Sequence, residues 1–166
     1  MQRLVMGFVI LRNFNSKDMK KIKDEDLGNA LKAIRESQIL KENGGKLPKE
    51  YDGYASSIGA AIINSGLLPA LSFYTDIHKD VTKVRRFKLL QLIHQVMTPN
   101  DKEESYTKRN GLLEHVLKEV YPNTYNSSSA GIGTPDKIKL TKCTNRVLEA
   151  AVAVKMAMRN FPHTDS

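Results

Sequence analysis

The stretch "YASSIGAAIINSGLLPALSFY", residues 54–74, decides the reading of the fold. It is apolar enough for a core, yet Gly, Ala and Ser run through it, and an Asn-Ser-Gly and a Pro sit near its middle. Tyr51, Tyr54/Ala55, Ile58, Ala61/Ile62 and Ser65 follow the i, i+3/i+4 spacing of one helical face. Gly66 interrupts that face. Pro69 fits the first turn of a new helix, where its missing N–H costs nothing. Leu67, Leu71, Tyr74 and His78 carry the stripe on, with Leu68 and Phe73 beside it. The stretch is therefore predicted to be a helix, a glycine corner and a second helix, its small residues letting neighbouring backbones come close.

The same period recurs on both sides. Asn15-Ser16 is a candidate N-cap for "KDMKKIKDEDLGNALKAIRESQILKE" (17–42), where Ile22, Leu27, Ala30/Leu31, Ile34 and Ile39 recur at helical intervals. "NGGKLP" (43–48) is a turn cluster that ends it. "VTKVRRFKLLQLIHQVM" (81–97) places Leu89, Leu90, Ile93, Val96 and Met97 on one side, and Pro99-Asn100-Asp101 marks its end. "DKEESYTKRNGLLEHVLKEVY" (101–121) begins acidic and ends with Lys118, as the helix dipole prefers, with Leu113, Val116/Leu117 and Val120 as its buried edge. "PNTYNSSSAGIGTP" reads as a flexible surface loop over about residues 122–135. A last helix is expected from about Pro135 to Phe161, with Val147, Ala151, Val154, Met158 and Phe161 along one face. Strand alternation is almost absent. The expected fold is all-α: a single-domain helical bundle of about six helices spanning residues 1–166.

Charge narrows the partners. The 166 residues carry a net charge of +8 and a pI near 9.5. Residues 1–80 contribute +2 of that excess and residues 81–166 contribute +6. Such a balance favours a polyanion, nucleic acid before an anionic membrane surface. One cysteine, Cys143, excludes an intrachain disulfide and fits a reducing, cytoplasmic compartment. The apolar run Leu4–Leu11 behind Arg3 is too short to span a bilayer and lacks a small-x-small cleavage site, so a buried first element is expected there. Asn126-Ser127-Ser128 is a formal glycosylation sequon, irrelevant inside a cell.

Catalytic patterns are missing. His78, His94, His115 and His163 lie far apart, and none forms a His-x-x-x-His or Cys/His pair with metal-ligand spacing. "ENGGKLP" is not a phosphate loop, "AGIGTP" has no preceding strand, and "KDEDLG" reads as an acidic first helical turn, not a calcium loop. No cofactor, metal or catalytic residue is expected. Cys143, beside Lys142 and Arg146, would gain some thiolate character if exposed, but a partly buried inert thiol is the preferred reading.

The basic residues are more specific. On the last helix Lys139, Lys142 and Arg146 are 3 and 4 apart, which at 100° per residue places them within about 60° of one another. Lys155 and Arg159 lie on a different flank, and "KVRRFK" adds Lys83, Arg85, Arg86 and Lys88 spread around one turn. Such clusters suit phosphate contacts, with salt-sensitive affinity independent of sequence. Lys139, Lys142 and Arg146 are the first candidates for RNA contact, and the other six are secondary.

The corner stretch also carries a resemblance. Tyr54-Ala55-Ser56 leading into a helix, the corner Asn64-Ser65-Gly66-Leu67, and Ala70-Leu71-Ser72-Phe73-Tyr74 closing the next helix resemble the hallmark of the small subunit of the Cmr complex, the type III-B CRISPR effector. "TNRVLEAAVAVKMAMRNF" (144–161) is similar to that family's closing pattern, with Arg146, Glu149, Lys155, Arg159 and Phe161 in comparable places. The resemblance covers about residues 50–78 and 140–161. It implies a non-catalytic subunit that stacks with copies of itself beside the Cmr backbone and large subunits. It also implies a target RNA, paired to the guide, held by its backbone while base pairing reads sequence. The rival readings are a helical scaffold or adaptor without nucleic-acid contact, and a small nuclease or transferase with a scattered site.

Overall fold

A computed structural model of the protein describes residues 23–76, 85–101, 107–121 and 134–164. Among these residues the secondary structure is helical, in the order α1 (Asp24–Glu36), α2 (Gln38–Glu42), α3 (Glu50–Ser65), α4 (Leu67–Thr75), α5 (Phe87–Met97), α6 (Gly111–Val120) and α7 (Lys137–Met158). Six of these are nine residues or longer, and α2 is a five-residue turn. The fold is all-α. The opening apolar run, the Asn15-Ser16 cap, His78, Lys83 and most of the 122–135 loop lie outside the described residues.

The corner forms where the sequence places it. Tyr51, Ala55, Ile58 and Ile62 are the buried face of α3, and Leu67, Ala70, Leu71 and Tyr74 that of α4. Between them Gly66 sits at φ 91°, ψ 162°, a conformation that only glycine adopts without strain. Its N–H still closes α3 on the Ile62 carbonyl, and its carbonyl accepts the Ala70 N–H, so the chain turns without losing its backbone pairing. The Tyr74 hydroxyl donates to the Tyr54 carbonyl at 3.1 Å and shares a 2.8 Å hydrogen bond with the Ser57 hydroxyl. That brace fixes the angle between the two helices.

Two helix boundaries differ from the periodicity. The apolar pattern predicts an unbroken helix over 17–42, but the chain breaks at Ser37, whose ψ of 151° is extended. Its hydroxyl donates to the Ile34 carbonyl and also serves as the N-cap of α2, so one side chain ends a helix and starts the next. The stretch 101–121 is predicted as one helical pattern, yet the chain breaks at 108–110, between the helical Thr107 and the start of α6 at Gly111; residues 102–106 lie outside the described residues. Asn110 bonds Glu114 at 2.6 Å there, and Leu112, more than Leu113, takes the buried position beside Val116 and Val120.

α7 is the axis of the bundle. It packs against α1, α3, α5 and α6, and its buried residues run from Val147 to Met158. Ala150, Ala151, Ala153 and Ala157 lie in that span, and such small side chains allow close helix approach. Asp136 caps its start by accepting the N–H groups of Ile138 and Lys139. Past its end, Thr164 N–H donates to the Leu47 carbonyl and Leu47 N–H to the Pro162 carbonyl, tying the 43–48 turn to the tail. His163 adds a 2.9 Å contact to Asp52.

Candidate nucleic-acid interface

The first half of α7 lies at the edge of the core, with Leu140 and Cys143 partly buried against it. No residue from Thr134 to Arg146 is buried, and Ile138 is 70 % exposed, whereas Val147 onward is packed on several sides. Lys137 and Lys142 are exposed and Lys139 half-buried on this half, and no acidic residue interrupts it between Lys137 and Arg146. None of these three lysines has an ion-pair partner among the described residues. The positive end of the α7 dipole is already met by the capping Asp136 carboxylate, so the lysine side chains supply the attraction.

Arg146 does not share that freedom. Its two terminal nitrogens bond the Asp26 carboxylate at 2.7 and 2.8 Å, and one of them also donates to the Val96 carbonyl at 2.9 Å. Asp26 is 5 % exposed, so the pair sits at the α1–α5–α7 junction. The hydrogen bonds to Asp26 push the guanidinium above the usual arginine value, against the opposing pull of burial. The spacing that grouped Arg146 with Lys139 and Lys142 is real, but the side chain turns inward to a carboxylate 120 residues away.

The secondary candidates also separate. Arg86 is 7 % exposed, its guanidinium 4.7 Å from the Phe73 ring centroid, a cation–π contact inside the fold. Lys88 is ion-paired with Glu42. Arg85 is exposed, while its carbonyl accepts the Tyr51 hydroxyl. Arg85 and Lys88, with Gln38, Glu42 and Gln91, line a polar cleft of about 600 Å³. At the far end of α7, Lys155 is half-buried and Arg159 exposed, each without an ion-pair partner among the described residues.

An arginine that the sequence did not single out completes the pattern. Arg109 donates through Nε to the carbonyl of Thr75, the last residue of α4, and stacks 4.5 Å from the Phe87 ring centroid. Arg86, Arg109 and Arg146 thus all serve the fold, two of them by satisfying carbonyls at helix C-termini that have no intrahelical donor. Guanidinium is planar, weakly hydrated and able to stack, which suits these three interior roles.

Cys143 is half-buried, and burial together with Glu119 raises its thiol above the ordinary value, against a smaller opposing effect of Lys139. The inert-thiol reading follows from that balance. Among the described residues, no helix is long and apolar enough to cross a membrane.

Fold and surface together define a small, basic, all-helical protein in which Arg86, Arg109 and Arg146 serve the fold while Lys137 and Lys142 face outward. Residues 22–158 match the family described as CRISPR-associated protein (Cas_Cmr5), and the chain belongs to that family, a subunit of the CRISPR Cmr system. Searches of curated proteins and of solved structures return no match.

Proposed function

We propose that the chain is the non-catalytic small subunit of a type III-B Cmr effector, stacking with copies of itself and holding target RNA through its phosphates. Family membership supports the assembly role. The observation that carries the RNA contact is the outer face of the first half of α7, where Lys137 and Lys142 are exposed and Lys139 half-buried, with no acidic residue in the run from Lys137 to Arg146. Arg85, Lys155 and Arg159 are the outlying contacts, whereas Arg86, Lys88 and Arg146 are committed within the chain. Such a surface reads charge and spacing, not bases, which suits a complex whose sequence recognition belongs to guide pairing. The partners are the Cmr backbone and large subunits, neighbouring copies and the guide–target duplex, in the cytoplasm.

Titration of the chain with single-stranded RNA over a range of salt concentrations tests this. Binding that weakens steeply with salt and falls in the Lys139→Ala/Lys142→Ala variant supports the reading. Absent binding at low salt, or affinity indifferent to the two lysines, favours the adaptor reading. Val152 and Met156, 45 % and 41 % exposed on the packed half of α7, are the apolar contacts such an adaptor would use.

A further inference from the structure

Three side chains with no part in the proposed RNA surface converge at one end of α5. His94 lies in the last turn of α5, Asp101 in the turn that follows, and His115 in the middle of α6. One ligand-capable atom from each lies within 4.8 Å of the other two. The imidazole rings of His94 and His115 are 5.2 Å apart between centroids and inclined at 52°. His94 is 2 % exposed, His115 half-buried and Asp101 exposed, so the cluster runs from core to solvent and opens outward.

We propose that His94, Asp101 and His115 bind a divalent first-row transition ion, zinc foremost, which clips the end of α5 to α6. Two imidazoles and one carboxylate form a donor set suited to zinc and its neighbours; magnesium and calcium prefer all-oxygen shells. Tetrahedral bonds of about 2.0–2.1 Å set the ligand atoms roughly 3.3 Å apart, so the three groups close inward by at most about 1.5 Å. The two outer groups can supply that movement, since Asp101 sits on a turn and His115 is only half-buried. Water takes the fourth position from the open side. The effect is structural: an ion that binds the folded chain alone stabilises it and fixes the α5–α6 angle.

The tag-free full chain, stripped with chelator, is titrated with Zn²⁺ by calorimetry and with Co²⁺ by visible absorption. The expected result is one ion per chain, tetrahedral cobalt bands that zinc displaces, and a Tm higher by about 5–10 °C at a hundredfold excess of zinc over Kd. His115→Ala removes a ligand at the solvent side of the cluster and weakens binding at least tenfold; Asp101→Asn weakens it about tenfold. His163→Ala, which removes a histidine that pairs with Asp52 and not with the cluster, leaves it unchanged. Circular dichroism confirms that each variant is folded. Failure of the wild-type chain to bind, binding undiminished in folded His115→Ala, or binding lost in His163→Ala overturns the proposal.

Discussion

Arg146 on α7 closes a two-pronged ion pair on Asp26 of α1, at 2.7 and 2.8 Å, and reaches the Val96 carbonyl on α5 with the same fork. Three helices meet at one guanidinium. Arg146→Ala leaves the Asp26 carboxylate buried without this partner, and the expected loss is about 3 kcal/mol of unfolding free energy, read from urea denaturation. Arg146→Lys keeps the charge but not the fork, and falls between the two. An Arg146→Ala/Asp26→Ala pair loses less than the two single changes summed, because each single change already breaks the shared contact.

The lysines of the first half of α7 have the opposite signature. Lys139→Ala/Lys142→Ala leaves the unfolding free energy from urea denaturation within about 0.5 kcal/mol of the parent, as expected for side chains without buried partners. The plot of log K against log salt for single-stranded RNA becomes shallower by about 1.4, since each phosphate contact contributes about 0.7. A folded Arg146 variant that retains the parental slope would complete the contrast between a residue of the fold and residues of the surface.

Gly66 tests the corner. At φ 91° and ψ 162° a side chain strains the backbone, although the added Cβ would meet only Pro69 Cδ at an ordinary 3.8 Å. Gly66→Ala therefore destabilises by about 1–3 kcal/mol through backbone conformation and not through a clash. Thermal unfolding measures it. A neutral Gly66→Ala would show that the α3–α4 turn adopts another geometry.

The corner's brace should fail at high pH. Burial is the largest influence on the Tyr74 hydroxyl and raises it above the ordinary tyrosine value, against lowering by the Ser57 hydrogen bond and Arg86. Because the folded value lies above the unfolded one, this contribution to stability is complete below about pH 10 and is lost as pH rises through the folded value. Tm measured toward the alkaline side should fall more steeply for the parent than for Tyr74→Phe. At neutral pH that variant is less stable by about 1–2 kcal/mol, having lost its bonds to Ser57 and the Tyr54 carbonyl.

Cys143 should alkylate slowly. Its raised thiol holds less thiolate at neutral pH than a free cysteine, and half the group is covered. Iodoacetamide labelling followed by mass spectrometry is expected to be at least several-fold slower in the folded chain than in urea. Equal rates would place the thiol in open solvent.

Much of this architecture is legible along the chain because it rests on local rules. The helical period of Tyr51, Ala55, Ile58 and Ile62, the glycine stop at 66 and the proline in the first turn of α4 each act within a few residues, and together they define the corner. The faces of α5 and α7 follow from the same period. Ser37 escaped because its break is made by one hydroxyl bonding in both directions, a competition with helix that periodicity cannot register. The break at 108–110 before Gly111 was missed because charge order along 101–121 says which end suits the dipole, not where the chain interrupts the pattern.

The sequence by itself determined that the chain is helical, basic and turned at Gly66, since period, charge and glycine conformation are properties of neighbouring residues. Only the tertiary structure decided what each cation does. Lys142 and Arg146 are one helical turn apart and alike on paper, yet Asp26, 120 positions from Arg146, claims the arginine and leaves the lysine to solvent. The same holds for His94 and His115, 21 residues apart and brought to ring contact by the packing of α5 on α6. Partners so distant in the chain are chosen by which helix faces meet, and that choice is settled by burial of the whole core, not by any local signal.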